Sequence, residues 1–419
     1  MKLIFRQARI IDPESPWNGQ TGDLLIEDGQ IENFGSGIRS GGAEIIEIKN
    51  LHISPGFFDS GITTGEPGRE ERGTLAHELR TAALSGFTDV AIQPTGIPAT
   101  DSASQVSWIL SNAVGKGANA YPIGNLTRGG KGIELAELYD MHLSGAIAFG
   151  DYNKNIDDAN LLKIALQYGG DFGALILAYS MDRSIAGSGV AHEGRTAASL
   201  GLRGIPALAE ELAIARNLML LEYTGGRLHI PTISTKGALA LIREAKERGL
   251  DVSCSVSVHH LALDESKLAG FDANFMVSPP LRETSDVEAL RKGVLDGTID
   301  MITTDHHPVD IEHKKVEFAL AEAGTIGLES AFGALGTLFP IEAIVQKLTA
   351  GRERFGVSRS TLKPESKAAI ALFDPDREWK FSTRDILSKS KNSAFIGHSM
   401  KGFVYGSVIG DKYYIKNAD

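Results

Sequence analysis

The chain has 419 residues, 42% of them hydrophobic, with 47 glycines and 15 prolines, which is enough to bury a large core and points to many short turns rather than long helices. Its formal net charge of -11 at pH 7 disfavours nucleic acid or an anionic membrane as a partner, because either surface would repel it. A single cysteine, Cys254, excludes an internal disulfide. No apolar run approaches membrane-spanning length, and charge interrupts Met1-Lys2-Leu3-Ile4-Phe5-Arg6 before a signal-peptide core could form, so the expected location is the cytoplasm.

The first fifty residues read as short strands and tight turns. Within Leu24–Ile31, the Asp28-Gly29 pair favours a two-residue hairpin. Apolar, strand-like runs follow at 54–60, 87–93, 119–125, 145–150, 173–179, 226–232, 251–257 and 300–304, alternating with helical patterns. Eight such runs imply a (β/α)8 barrel. Between the sixth and seventh, Thr235 to Arg248 places Ala238, Leu239, Leu241, Ile242 and Ala245 on a helical stripe that stops at Gly249. Residues 305–325, with His306, His307, His313 and a Lys314-Lys315 pair, read as a long loop over the barrel mouth. At the far end, Phe403–Ile409 and Lys412–Lys416 form a second hairpin around Gly410-Asp411. Neither end has enough apolar surface to stand alone, so 1–53 and 360–419 are expected to pair into one small β-sandwich domain beside a barrel at 54–359.

In a barrel of this kind, chemistry sits where the strands end at the C-terminal face. The residues there are Gly61 and Thr63, Thr95, Asn125, Asp151, Tyr179, Thr232, Ser257 and Asp305. A hydrolytic centre with two divalent ions needs several imidazoles beside its carboxylates. This rim offers two carboxylates, Asp151 and Asp305, and no histidine at a strand tip.

The segment from Pro55-Gly56 through Asp59-Ser60-Gly61-Ile62-Thr63-Thr64-Gly65 to Glu66-Pro67-Gly68 resembles the dihydroorotase signature Pro-Gly-x-x-Asp-x-His-x-His-x-Arg-Glu-Pro-Gly. Further frame motifs extend the resemblance along nearly the whole chain: Gly145–Phe149, Val258-His259-His260-Leu261, Pro279-Pro280-Leu281-Arg282, Thr304-Asp305-His306 and Ala321–Glu329. The resemblance implies the barrel of metal-dependent hydrolases of the amidohydrolase superfamily, hydrolysis of a cyclic amide in pyrimidine biosynthesis, and zinc as the cofactor of active members. It also implies that Asp151 matches the bridging acid after the fourth strand and Asp305 the catalytic acid after the eighth. The four histidine-ligand positions of the family carry Gly61, Thr63, Tyr179 and Thr232. The substrate-contact positions carry Gly65, Thr95, Ser278 and Val309.

Loss of first-shell ligands removes a metal site, whereas loss of one supporting partner typically costs only about 10–100-fold. The expectation is therefore no tightly bound zinc and negligible dihydroorotase activity, with Asp151 and Asp305 as remnants and Asp305 an idle general base. At best the two would hold a hard cation weakly. His259-His260 and His229 read as structural. His306 and His307 could contact an anion or do nothing. Three functions stay open: a non-catalytic structural or regulatory subunit, for which the resemblance implies aspartate carbamoyltransferase as partner; a cyclic-amide hydrolase with altered or single-metal chemistry, using Asp305 as base and Asp151 as acid; and a metabolite-binding sensor. A homodimer is expected from the resemblance alone.

Overall fold

The computed structural model describes residues 1–416. Strands β1 (Lys2–Ile10), β2 (Thr21–Glu27) and β3 (Gln30–Gly35) form an antiparallel meander, and β4 (Glu44–Ile46) and β5 (His52–Pro55) each pair with β1 in parallel. Asp28 and Gly29 take φ of 47° and 78°, the left-handed pair that a type I′ hairpin requires.

The chain then enters the barrel. Its strands are β6 (Phe57–Ile62), β7 (Phe87–Ile92), β8 (Asn119–Gly124), β9 (Ala148–Phe149) and β10 (Leu175–Leu177), and, after a two-stranded excursion of β11 (Ala191–His192) and β12 (Gly204–Ile205), β13 (Arg227–Ile230), β14 (Val252–Ser257) and β15 (Met301–Thr303). The eight barrel strands are parallel, adjacent in chain order and overlap the eight runs read from the sequence. Phe58, Leu175, Leu177, Met301 and Phe355 pack together as one buried apolar cluster contributed by strands and by the chain after the last helix. The helix expected at 235–248 spans Lys236–Glu247. Its N-cap Thr235 accepts from Ala238 N, its buried face carries Ala238, Leu239, Ile242 and Ala245, and Gly249 follows at φ 81°.

The barrel closes between β15 and β6 through one side chain. The fully buried carboxylate of Asp59 on β6 accepts from Thr304 N (2.9 Å) and Gly61 N (3.0 Å) and from the hydroxyls of both Thr303 and Thr304. These bonds offset the cost of burying the group.

After the barrel, β16 (Ala369–Lys380), β17 (Ser399–Ile409) and β18 (Lys412–Ile415) return to the N-terminal strands. The result is one eight-stranded sheet in the order β18-β17-β16-β5-β1-β2-β3, with β4 beside β1. Two stretches differ from their sequence reading. Residues 381–398, grouped by sequence with the small domain, leave that sheet and lie on the barrel rim, where Ser388 N donates to Glu329 (2.8 Å), Ser390 Oγ to Arg72 O (2.9 Å) and Asn392 Nδ2 to His307 O (2.9 Å). The 305–325 loop carries a short helix, Ile311–Lys314, and is pinned by a His306–Thr325 bridge. The first follows from side-chain bonds between distant segments, the second from a backbone bridge and a local Asp310 cap, and neither leaves a periodic trace in the chain. Among the described residues no helix is long and apolar enough to cross a membrane.

Replacing Asp59 by Ala leaves four buried donors without an acceptor, so Asp59→Ala is expected to lower unfolding stability by at least about 3 kcal/mol, read from the urea midpoint. Asp59→Asn, which keeps one acceptor, should cost less.

Candidate functional site

The strand tips converge on a cavity of about 20 Å³ lined by Gly61, Gln93, Tyr152, Thr232, Ser255 and Asp305, among others. That volume admits about one water molecule. Asp305 follows β15 at φ 47° and is buried. Tyr152 Oη lies 3.4 Å from one of its oxygens and His259 Nε2 lies 4.0 Å from the other. Burial, reinforced by the nearby Asp59 charge and opposed by the Tyr152 hydrogen bond, pushes the Asp305 carboxyl well above the usual carboxylate range. Burial also drives His259 well below the usual imidazole value, and its Nε2 has no hydrogen-bond partner. Both shifts disfavour the charged forms of these side chains.

None of the positions where the family resemblance places metal ligands offers an imidazole. A Cβ on Gly61 would meet Gln93 Nε2 at 2.4 Å, the end of a flexible side chain that would have to swing aside. Thr63 is tied to the following barrel loop: its N donates to His306 O (2.8 Å) and its Oγ1 lies 3.0 Å from His307 Nδ1. Tyr179 Oη and Ser278 Oγ are 2.7 Å apart, so one lost ligand position and one lost substrate position bond each other. Thr232 sits at φ 50° with its hydroxyl unpaired.

The substrate positions behave alike. A Cβ on Gly65 would lie 2.0 Å from Arg69 O and 2.7 Å from Gly73 O, so the backbone itself has closed over the slot. Thr95 is half-buried and its N donates to Gln93 O (2.8 Å). Val309 is buried, with its N held by Asn392 Oδ1 (3.1 Å).

Asp151 does not line this cavity. Its carboxylate accepts from Asn125 Nδ2 (3.1 Å), Thr127 N (3.2 Å) and Thr127 Oγ1, which fixes the 125–132 loop and occupies three of its roughly four acceptor sites. A binuclear zinc centre needs converging imidazoles and free carboxylate oxygens, and the residues present do not fit one. An acid–base pair of Asp305 with Asp151 lacks a shared cavity for the same reason.

The anion contact considered for His306 and His307 is corrected by their surroundings. His306 is fully buried, with Nε2 3.0 Å from Glu78 Oε2 and Nδ1 accepting from Gly327 N (3.2 Å). His307 stacks on Tyr152 (ring centroids 5.6 Å apart, 15° between planes) and points Nε2 at Glu322, 3.6 Å away. A carboxylate neighbour repels an anion. Glu322 is itself gripped by Arg72 through two bonds of 2.5 and 2.7 Å, while Arg72 Nε donates to Asp310 (3.0 Å). Arg72 and His307 hold Glu322 well below the usual range although burial opposes them.

His229, by contrast, is the satisfied core histidine expected from sequence, with Nδ1 2.8 Å from Ser253 Oγ and Nε2 3.2 Å from Ser255 Oγ. His260 likewise bridges Ser257 Oγ (2.6 Å) and Pro279 O (3.0 Å). Sequence reasoning missed Gln93, Tyr152 and the Arg72–Glu322 pair. Glu322 stood inside a quoted frame motif; the other three carried no local signal.

One further group of metal-capable side chains stands out among the described residues: His192, Glu283 and Asp286. His192 Nδ1 receives a bond from the buried Arg282 guanidinium (3.1 Å), which puts the ring proton on Nε2, the nitrogen that faces Glu283 at 3.9 Å. A protonated nitrogen has no lone pair for a metal.

Comparison with known proteins places this geometry. A family model described as "Dihydro-orotase-like" matches residues 52–238. The dihydroorotase of Pelotomaculum thermopropionicum is 38% identical, with 100% of this chain and 99% of that protein covered. That of Trichlorobacter lovleyi is 36% identical over 98% of this chain and 99% of the relative.

The chain belongs to the dihydroorotase family.

Among solved structures, L-hydantoinase (dihydropyrimidinase) from Arthrobacter aurescens superposes with a TM-score of 0.85 at 20% identity, covering 100% of this chain and 96% of the other. Dihydropyrimidinase from Brevibacillus agri gives 0.83 at 20% identity, with 100% and 95% covered. These likenesses confirm the barrel with its terminal sheet.

Asp305 binds its proton more tightly folded than unfolded. It therefore contributes stability that is complete below the ordinary aspartate value of about 3.9 and is lost as pH rises toward its folded value. Asp305→Asn removes that loss. The variant is expected to be at least as stable as the parent at pH 7, with the advantage shrinking toward pH 4 in urea titrations at several pH values.

Proposed function

We propose that this dihydroorotase-family chain is a non-catalytic member, a structural or regulatory subunit of pyrimidine biosynthesis in the cytoplasm with aspartate carbamoyltransferase as its partner. One observation supports the reading: no imidazole stands at Gly61, Thr63, Tyr179 or Thr232, and the space between the strand tips has room for about one water. Amide hydrolysis relies on a metal to polarise the carbonyl and generate hydroxide. A lone Asp305 supplies neither: burial pushes its carboxyl above the usual range, which disfavours the ionised form that a general base needs. The partner assignment rests on the family resemblance and on a frame kept whole around a closed mouth. A sensor using the same mouth would first have to open it.

A second reading, an active cyclic-amide hydrolase, is favoured by the shared name of the relatives, which match this chain from end to end. It requires a nucleophile and a carbonyl-polarising group that the strand tips do not bring together. Metal analysis and assay of the purified full-length chain separate the two. The first reading expects zinc far below one ion per chain and no turnover of dihydroorotate, with or without added zinc, and co-migration with aspartate carbamoyltransferase. Near-stoichiometric zinc, or turnover that chelation abolishes, selects the second.

Restoring the histidines tests the mouth directly. Gly61→His with Thr63→His is expected to fold less stably and still to bind no zinc tightly, because Gln93 must swing away from the first position and Thr232 and Tyr179 still provide no imidazole.

A further inference from the structure

Where the terminal sheet meets the barrel there is a crevice that the mouth does not share. One cavity of about 330 Å³ has apolar walls of Phe332, Phe339 and Ile344 from the barrel side, with Arg9, His52 and Lys401 of the terminal sheet beside them. A second, of about 440 Å³, continues from it, since Pro340 and Glu342 line both. Pro55, two residues before β6 begins, also lines the second. That puts the crevice at the opposite end of the barrel from the strand tips.

The ridge between the two cavities is the start of a helix, Ile341–Thr349. Pro340 caps it without a side-chain bond, and among the described residues the amides of Ile341, Glu342 and Ala343 have no acceptor. The first amides of a helix carry a partial positive charge and bind anions when left open.

The side chains around this helix end are free as well. Arg9 and Lys401 are exposed and take part in none of the ion pairs among the described residues. His52 is 9% exposed and donates from Nδ1 to Asn50 O (2.9 Å), which leaves Nε2 able to accept the hydroxyl proton of an anion. In the wall of the second cavity, the buried Arg352 keeps Nε and Nη1 without an acceptor. Two carboxylates oppose the set. Asp376 is already engaged by Asn50 Nδ2 (3.1 Å), and Glu342 is exposed and free to turn to solvent.

We propose that the crevice binds a small phosphate monoester, with its phosphate at the start of the Ile341–Thr349 helix among Arg9, His52 and Lys401 and its organic part against Phe332, Phe339 and Ile344. A carboxylate offers two oxygens in one plane, whereas a phosphate monoester offers three in a tripod. The tripod suits donors set on a helix end and on three separate strands, β1, β5 and β17. A cavity of this size at the seam between two structural units is a common place for a small molecule. Because such a ligand touches the sheet and the barrel together, binding it stabilises their association.

The test uses the full-length chain with phenyl phosphate as the probe, followed by broadening of its phosphorus resonance. Saturable broadening is expected, with a dissociation constant at least about 10-fold below those of inorganic phosphate and benzoate, because only the probe satisfies both the donors and the apolar walls. Arg9→Ala with Lys401→Ala should weaken binding by at least about 10-fold and leave the melting temperature without ligand unchanged, since both side chains are exposed. Lys116→Ala with Lys363→Ala, which removes the same charge from exposed sites elsewhere, should leave binding as it is. Broadening that does not saturate, an affinity no better than that of inorganic phosphate or benzoate, or equal loss in the two double variants overturns the proposal. The outcome is independent of whether the barrel mouth is catalytic.

Discussion

Closure of the barrel depends on a carboxylate that no solvent reaches. Asp59 gathers four donors from both sides of the seam between the last and first strands, and Thr63 N adds a bond across it to His306 O. Closure has an electrostatic consequence. The Asp59 carboxylate reinforces the burial that pushes the Asp305 carboxyl above the usual range, so the bond network at the seam also bears on the acid at the mouth.

The mouth keeps an ordered scaffold at positions that carry no imidazole. Removing imidazoles from a strand rim leaves voids and unpaired polar groups, each costly in a close-packed interior. Here neighbouring side chains pair with one another, Tyr179 with Ser278 and both Thr63 and Tyr152 with His307, while the Gln93 amide lies beside Gly61 without a hydrogen-bond partner for its oxygen. The surviving acids have separated in role, Asp151 bracing a loop and Asp305 lining a space the size of a water. The frame motifs persist because they serve packing. Arg282 of the Pro-Pro-Leu-Arg run is fully buried on Glu210, Ser234 and Ile205 O, and His260 ties β14 to Pro279 O.

The outer surface tells a separate story. Barrel helices normally spend one apolar face on the strands and leave the other polar. The helix after the fifth strand departs from that rule, with Leu208, Leu212, Met219 and Tyr223 exposed on its outer face.

Much of this was legible in the chain. Alternation of apolar runs with helical stripes is a local property of sequence, and it located all eight barrel strands, the Asp28-Gly29 turn and the capped helix at 236–247 without tertiary information. The absence of histidine at Gly61, Thr63, Tyr179 and Thr232 was equally plain, because a missing donor atom needs no coordinates. What the sequence could not decide was where side chains from distant segments go. That Gln93 lies beside Gly61, that His306 turns inward to Glu78 while His307 faces Glu322, that Asp151 and Asp305 do not share a cavity, and that 381–398 lies on the barrel rim all depend on contacts between residues far apart in the chain. Local periodicity carries no signal for such contacts, since they are set by the packing of the closed cylinder.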